Sequence, residues 1–404
     1  MPETLRSLYI CYLTLDDPLV HTQVVAYLEG LARRGHTMHL LTFDHELEPE
    51  RRRELTARLR RRGIEWHSLR YHKRPSLPAT IYDTLVGAVT AARIMRRHRL
   101  EALHARNHVP AAMGLIARRL TRCKLIFDLR GLMAEEYVDA GIWRRDGLPY
   151  RITDRVQRAA IERADGVVML TQAVRRHLFG DGAWRRPLAV IPCCTDTESS
   201  NGRLPSQTII RRELGLGDGP VMIYVGKFTG WYMEREMVDF FASASRLDPD
   251  LVFLILTQGD AEPIRNELRR HAVRDEQYLI ARAEPEDVAR YLIAANFGIS
   301  FIRPCFSKIS SSPTKIAEYL HAGLPVLSTR GIGDVDPLLE ENRVGVLVDD
   351  FGAPAYHAAA ATIRALASDP DCRARCRAVA REQLSLTNVG VPRYDRLYRE
   401  VAGA

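Results

Sequence analysis

Between Phe297 and Gly331 the chain reads FGISFIRPCFSKISSSPTKIAEYLHAGLPVLSTRG. The run Phe297–Ile302 predicts a buried strand. Pro313 suits a first helical residue, because its missing N–H would be unpaired there anyway. Ser312 is then the N-cap, and Gly323 with Pro325 after it ends the helix. Lys315 becomes the third helical residue, where the helix dipole disfavours a cation by a few tenths of a kcal/mol, roughly. No acidic residue of that turn offsets it. Free backbone N–H groups, the hydroxyls of Ser310, Ser311, Ser312 and Thr314, and Lys315 together suit an anion, above all a phosphate. Lys308 and Arg303 in the preceding loop add positive charge. Glu318 lies one turn further on the same face, where a carboxylate can accept from sugar hydroxyls. The competing reading is a surface Lys–Glu pair beside a serine-rich loop.

Other strand ends carry similar chemistry. YVGKFTG places Gly226, which lets a ligand approach the backbone, before Lys227. Two lysines, Lys227 and Lys315, at one sheet edge would neutralise a diphosphate leaving group without a metal. Arg282, closing the run QYLIARA, is assigned to the same donor side. FDLRG delivers Asp128 and Arg130 to one face of a strand end, and LHARNH delivers His104, Arg106 and His108. The loop LTLDDPLVHTQVV brings Asp16, Asp17 and His21 but no glycine, so no dinucleotide fingerprint follows the first strand. HExxH, Walker A, G-x-S-x-G and zinc spacings are absent, and no metal site is expected.

The elements that must position these residues alternate. SLYICYL, MHLLTF, ALHARN, KLIFDLR and GVVMLT are short β-rich runs separated by segments of helical period such as VVAYLEGLARRGH and ERRRELTARLRRRG. After about thirty residues rich in Pro, Gly, Ser and Thr, strands resume with VMIYVGK, LVFLILTQG, QYLIARA, FGISFI, PVLSTR and VGVLVDD. Near-continuous apolar strands alternating with helices imply parallel sheets covered on both faces. The expected organisation is an N-terminal domain at 1–192, a linker at 193–208, a second domain at 209–385, and a C-terminal helix at 386–404 packing back on the first domain. A ligand cleft would lie between the carboxyl ends of the two sheets.

Composition sets the outer bounds. The 404 residues exceed what one core usually serves, and 46% apolar with 27% charged residues is ordinary for a soluble globular chain. No apolar run is long enough to span a bilayer, and MPETLRSLYICYL lacks the features of a secretory signal, so the cytosol is the expected location. Seven scattered cysteines suggest no disulfide framework. Residues 1–190 hold 33 Lys/Arg against 21 Asp/Glu, and residues 191–404 hold 25 against 29. A basic front half suits an anionic partner. The arginine-rich stretches Arg51–Arg62 and Ala92–His98 could touch anionic lipid at the inner face of a membrane; solvated helix faces are the plainer account.

SSSPTKIAEYLHAGLPVLST, preceded by IPCCTD and YVGKF, resembles the family 4 nucleotide-sugar glycosyltransferases, which are retaining enzymes of the GT-B fold. The resemblance extends to LEGLARRGHTMHLLT, ADGVVMLTQAVRRHL and LIAANFGISFI. It implies an α/β, GT-B chain: two doubly wound Rossmann-like domains, an interdomain cleft and C-terminal helices. It further implies that Glu318 holds the ribose of a nucleoside-diphosphate sugar, UDP or GDP being the expected bases, with no cofactor. The first glutamate of the family's E-x7-E pair falls at Ser310, so donor-sugar recognition passes to backbone groups or serines of residues 306–312. Lys227 fills the first place of the family's basic pair; Tyr232 or Met233 stands at the second, leaving Lys315 or Lys308 as substitute. TGWYM, with FDLRG and SSPTK, resembles a bacterial surface-glycan subgroup.

The resulting expectation is a metal-independent retaining glycosyltransferase of glycan or glycoconjugate biosynthesis. Lys227, Lys315, Asp128 and Arg130 are its expected catalytic groups. Gly226, Arg282, Lys308, Ser310, Ser311, Ser312, Thr314 and Glu318 would hold the donor, and Asp16, His21, Arg106 and His108 would face a glycan, lipid-linked or small-molecule acceptor. No nucleic-acid partner is expected. A nucleotide-sugar epimerase, a sugar-phosphate synthase and a non-catalytic sugar- or phosphate-binding protein are the rivals.

Overall fold

The computed structural model describes residues 4–72, 74, 76–180, 182, 184–196, 205–228, 230–284 and 287–403. Residues 197–204 of the expected linker, and Thr229 of the TGWYM motif, lie outside the described residues. The chain forms two compact units. One comprises Met1–Pro192, Phe306–Ser311 and Leu386–Ala404; the other comprises Cys193–Cys305 and Ser312–Ser385.

The first unit is built on β1 (Arg6–Cys11), β2 (Thr37–Asp44), β3 (Ile64–Arg70), β4 (Ala102–Arg106), β5 (Lys124–Leu129), β6 (Gly166–Met169) and β7 (Leu188–Val190). All are parallel, in the order β3-β2-β1-β4-β5-β6-β7. The central strands are buried along almost their whole length, as a sheet covered by helices on both faces requires. The strands at the two ends, β3 and β7, are the ones the apolar runs fail to announce. Both are partly open to solvent; in β3 the polar residues Glu65, His67 and Ser68 interrupt the hydrophobic signal, whereas β7 is apolar but only three residues long.

The last helix, Val391–Gly403, completes this unit. Gly30 and Gly166 let it come close, since a Cβ on either would meet Val391 or Val401 at 2.4 and 2.7 Å. Lys124 Nζ donates to the carbonyls of Val401 and Ala402, a cation at the helix end where the dipole welcomes it.

The second unit carries β8 (Val221–Val225), β9 (Val252–Leu256), β10 (Tyr278–Ala281), β11 (Phe297–Ser300), β12 (Val326–Thr329) and β13 (Gly345–Val348), again all parallel, in the order β10-β9-β8-β11-β12-β13. Both sheets therefore reverse direction beside their first strand, the topological switch point where ligands of open α/β sheets bind. Among the described residues no helix is long and apolar enough to cross a membrane.

Candidate active site

In the second unit, β8 and β11 pair through Phe297↔Met222 and Gly298↔Ile223. The helix Thr314–His321 inserts Tyr319 where this pairing stops. The Tyr319 hydroxyl accepts from Val225 N–H at 3.0 Å and donates to Ile299 O at 3.3 Å. Gly298 makes the insertion possible, because a Cβ there would lie 2.3 Å from the tyrosine ring. The helix N-terminus is thereby pinned at the carboxyl edge of β8.

The helix begins one residue later than expected. Pro313 is the N-cap and offers no side-chain cap; Ser312 Oγ instead accepts from Cys193 N–H at 3.0 Å. Lys315 is thus the second helical residue. Its side chain is 6% exposed, and its Nζ has no hydrogen-bond partner among the described residues. It lies over the rings of Tyr232 (3.6 Å) and Tyr224 (4.0 Å), whose π faces are its main compensation. It also stands 3.3 Å from the place a Cβ on Gly226 would occupy, and Gly226 adopts φ +128°, which favours glycine. Burial drives the Lys315 ammonium well below its ordinary pKa, against the opposing pull of Glu318. Burial likewise raises the Glu318 carboxyl, against the pull of Lys315.

The other residues assigned to the donor divide. Gly226, Ser312, Thr314, Lys315 and Glu318 gather within the second unit around β8 and this helix. Lys227 is exposed; its carbonyl, not its ammonium, is held, by the Tyr224 hydroxyl. Arg282 is exposed beyond β10. Lys308, Ser310 and Ser311 belong to the first unit. There Lys308 pairs with Glu136 (3.4 Å), and Ser310 Oγ accepts from Leu132 N–H (3.1 Å) and donates to Ser307 O (2.7 Å). Thr171 Oγ1 holds Ile309 O at 2.6 Å. The position of the family's first glutamate is therefore spent on anchoring a loop.

In the first unit the strand ends of β4 and β5 converge on Asp128. It has no exposed surface, so it belongs to the core and not to a surface-lining edge. Its carboxylate accepts from the hydroxyls of Tyr9 (3.1 Å) and Tyr394 (3.0 Å). His104, Arg130 and Arg106 stand 3.6, 3.7 and 3.8 Å away. Burial pushes this carboxyl up, but Arg130, His104 and Arg106 outweigh it and hold Asp128 well below the usual range. Burial also lowers His104, which favours the neutral imidazole. Two guanidinium groups, those of Arg106 and Arg130, bear on this one carboxylate, and Arg130 also donates to Gln23 Oε1 at 3.4 Å. His108 does not join them: its nitrogens are bonded to Asn107 and Gln157, and burial lowers its pKa to about 4. Asp16 is exposed and pairs with Arg51 at 3.4 Å. His21 is half-buried, its pKa lowered by burial and by Arg58.

Tyr224, Tyr232 and Tyr319 are the site residues that sequence reasoning passed over as functional. Tyr224 sits on β8 two residues before Gly226, which follows the strand directly, and that spacing was the available signal.

Comparison with known proteins agrees with this architecture. The Glycosyl transferase 4-like domain family matches residues 20–194, and the Glycosyl transferases group 1 family matches residues 206–383. A glycosyltransferase from Rickettsia africae superposes with a TM-score of 0.71 at 14% identity, covering 99% of each chain. Sucrose-phosphate synthase from Thermosynechococcus elongatus gives 0.73 at 16% identity, over 98% of this chain and 99% of that one. Anabaena Alr3699/HepE in complex with UDP and glucose gives 0.69 at 13% identity, over 99% and 98%. No curated protein matches the sequence. With one family matched on each unit and the doubly wound topology in both, the chain belongs to the family 4-type glycosyltransferases and has the two-domain GT-B fold.

Proposed function

We propose that the second unit binds a nucleoside-diphosphate sugar at the carboxyl edge of β8, with Lys315 facing the diphosphate and Glu318 the ribose hydroxyls. The observation that carries this reading is the buried, unpartnered Lys315 ammonium beside Gly226. Burial makes this ammonium costly to charge despite the pull of Glu318, and an anionic ligand lowers that cost. Lys227, exposed after Gly226, supplies a second charge to the leaving phosphate. The Anabaena neighbour's complex with UDP and glucose favours a uridine donor, with GDP the next base to test.

In this reading the acceptor hydroxyl attacks on the face from which the diphosphate departs, and the departing phosphate takes its proton. The anomeric configuration is then retained without a protein nucleophile. The protein contributes positioning and charge stabilisation and needs no metal for transfer. The basic side chains of the first unit, Arg106 and Arg130 among them, suit an anionic acceptor, such as a phosphate-linked glycan, in glycoconjugate synthesis. A lipid-linked acceptor is favoured by one surface feature. Leu77, Ile81, Leu85 and Val89 recur every fourth residue on the helix Ser76–Arg97, are 41–53% exposed, and lead toward the exposed Arg93, Arg96 and Arg97.

The test is calorimetry and thermal shift with UDP-, GDP- and ADP-sugars on the wild type and on Lys315→Met. Wild-type protein is expected to bind one base class; the variant is expected to lose binding and turnover. Far-UV circular dichroism checks that the variant stays folded, as expected for an apolar side chain of similar length set between Tyr224 and Tyr232. Normal nucleotide affinity in the variant overturns the assignment.

A further inference from the structure

Three histidines outside the donor site meet at one end of the first unit's sheet. His39 lies on β2 and His67 on the adjacent β3, while His98 follows the helix Ser76–Arg97 directly. The register pairs His39 with Glu65 and Leu41 with His67, so both imidazoles project from the same face of neighbouring strands. His39 Nδ1 and His67 Nε2 are 3.0 Å apart. The His98 ring centre lies 4.6 Å from that of His39 and 5.7 Å from that of His67. One nitrogen from each of the three falls within 4.8 Å of the other two.

We propose that His39, His67 and His98 form a transition-metal site, with zinc the expected ion. Zinc–imidazole bonds of about 2.0–2.1 Å place two ligands of a tetrahedral ion about 3.3 Å apart. The His39–His67 pair already stands close to that spacing, and a ring rotation of His98 completes three ligands. The fourth position is left to water. An all-imidazole set selects zinc, nickel, copper or cobalt over magnesium and calcium. His39 is 5% exposed, whereas His67 and His98 are half-buried, so the site has a rigid floor and an open side for entry. Metal binding needs neutral imidazoles.

His39 is the third residue of β2 and His67 the fourth of β3, away from the carboxyl ends where open α/β sheets bind substrate. The metal would therefore fasten the end of the helix Ser76–Arg97 to the β2–β3 edge without taking part in transfer.

The experiment uses tag-free, full-length protein, stripped with chelator, equilibrated with micromolar Zn2+, dialysed and assayed by elemental analysis and calorimetry. One zinc per chain and a zinc-dependent rise in melting temperature are expected. His67→Gln and His98→Gln should each weaken zinc by more than the roughly tenfold that loss of an outer partner costs. Co2+ loading should give the visible absorption of a tetrahedral nitrogen site, lost in both variants. Far-UV circular dichroism establishes that the variants are folded. Substoichiometric zinc in the wild type, or unchanged zinc affinity in both folded variants, overturns the proposal.

Discussion

Lys315 concentrates the energetics of the second unit in one side chain. Its ammonium has two tyrosine faces and no hydrogen bond, and burial lowers its pKa well below the ordinary value near 10.4. In the window between the lowered and the ordinary pKa, the unfolded chain holds a proton that the folded chain does not. Unliganded stability therefore rises with pH across that window. A bound diphosphate reverses the preference and restores the charged form. Nucleotide binding above the free-protein pKa should take up close to one proton, and affinity should fall by up to about tenfold per pH unit as pH rises. Titrations in two buffers of different ionisation enthalpy measure this uptake; its absence throughout the window between the lowered and the ordinary value would contradict the role given to Lys315. Asp128 is the opposite case. Its charge is satisfied by Tyr9, Tyr394 and three basic neighbours, so it organises the strand ends around it.

At the scale of elements, two helices matter most. Thr314–His321 owes its placement to Tyr319 bridging β8 and β11 over Gly298. Its start moves by one residue because Ser312, a good N-cap by type, is used by Cys193 N–H instead. Ser76–Arg97 buries Ala88, Ala91, Ala92 and Met95 on one side and exposes Ile81 (50%) and Leu85 (53%) on the other. If that stripe rests on anionic lipid, Ile81→Glu with Leu85→Glu should abolish sedimentation with anionic vesicles. Such a change should leave transfer to a water-soluble acceptor near normal and cost under about 0.5 kcal/mol of stability, as for other surface positions. Equal sedimentation of variant and wild type would remove the lipid contact.

At the scale of the molecule, the donor site and the histidine cluster make separable demands on metal. Sugar transfer should persist in excess EDTA if Lys227 and Lys315 serve the diphosphate as proposed, while the melting temperature of zinc-loaded protein should drop. Transfer that vanishes in EDTA and returns with a divalent ion would refute the metal-free reading and leave the histidine site to its own test. The unit boundaries also show what a linear reading misses. Phe306–Ser311 lies between two stretches of the second unit in sequence yet packs with the first, held by Glu136, Asp139, Leu132 and Thr171.

The parallel α/β class and all six strands of the second unit were readable from the sequence alone, because apolar periodicity is a local property. The two strands at the ends of the first sheet were not, since polar residues break the run in β3 and β7 is only three residues long. Only the tertiary structure decided which charged residues are free to act. It buried Asp128 beneath Tyr394, 266 residues away, tied Ser310 and Lys308 to the first unit, and set Lys315 against Tyr224 and Tyr232 with no hydrogen bond to its ammonium among the described residues. It also brought together His39, His67 and His98, whose spacings match no motif. Burial and pairing depend on contacts between distant segments, and those contacts set the charge state, and so the chemistry, of each side chain.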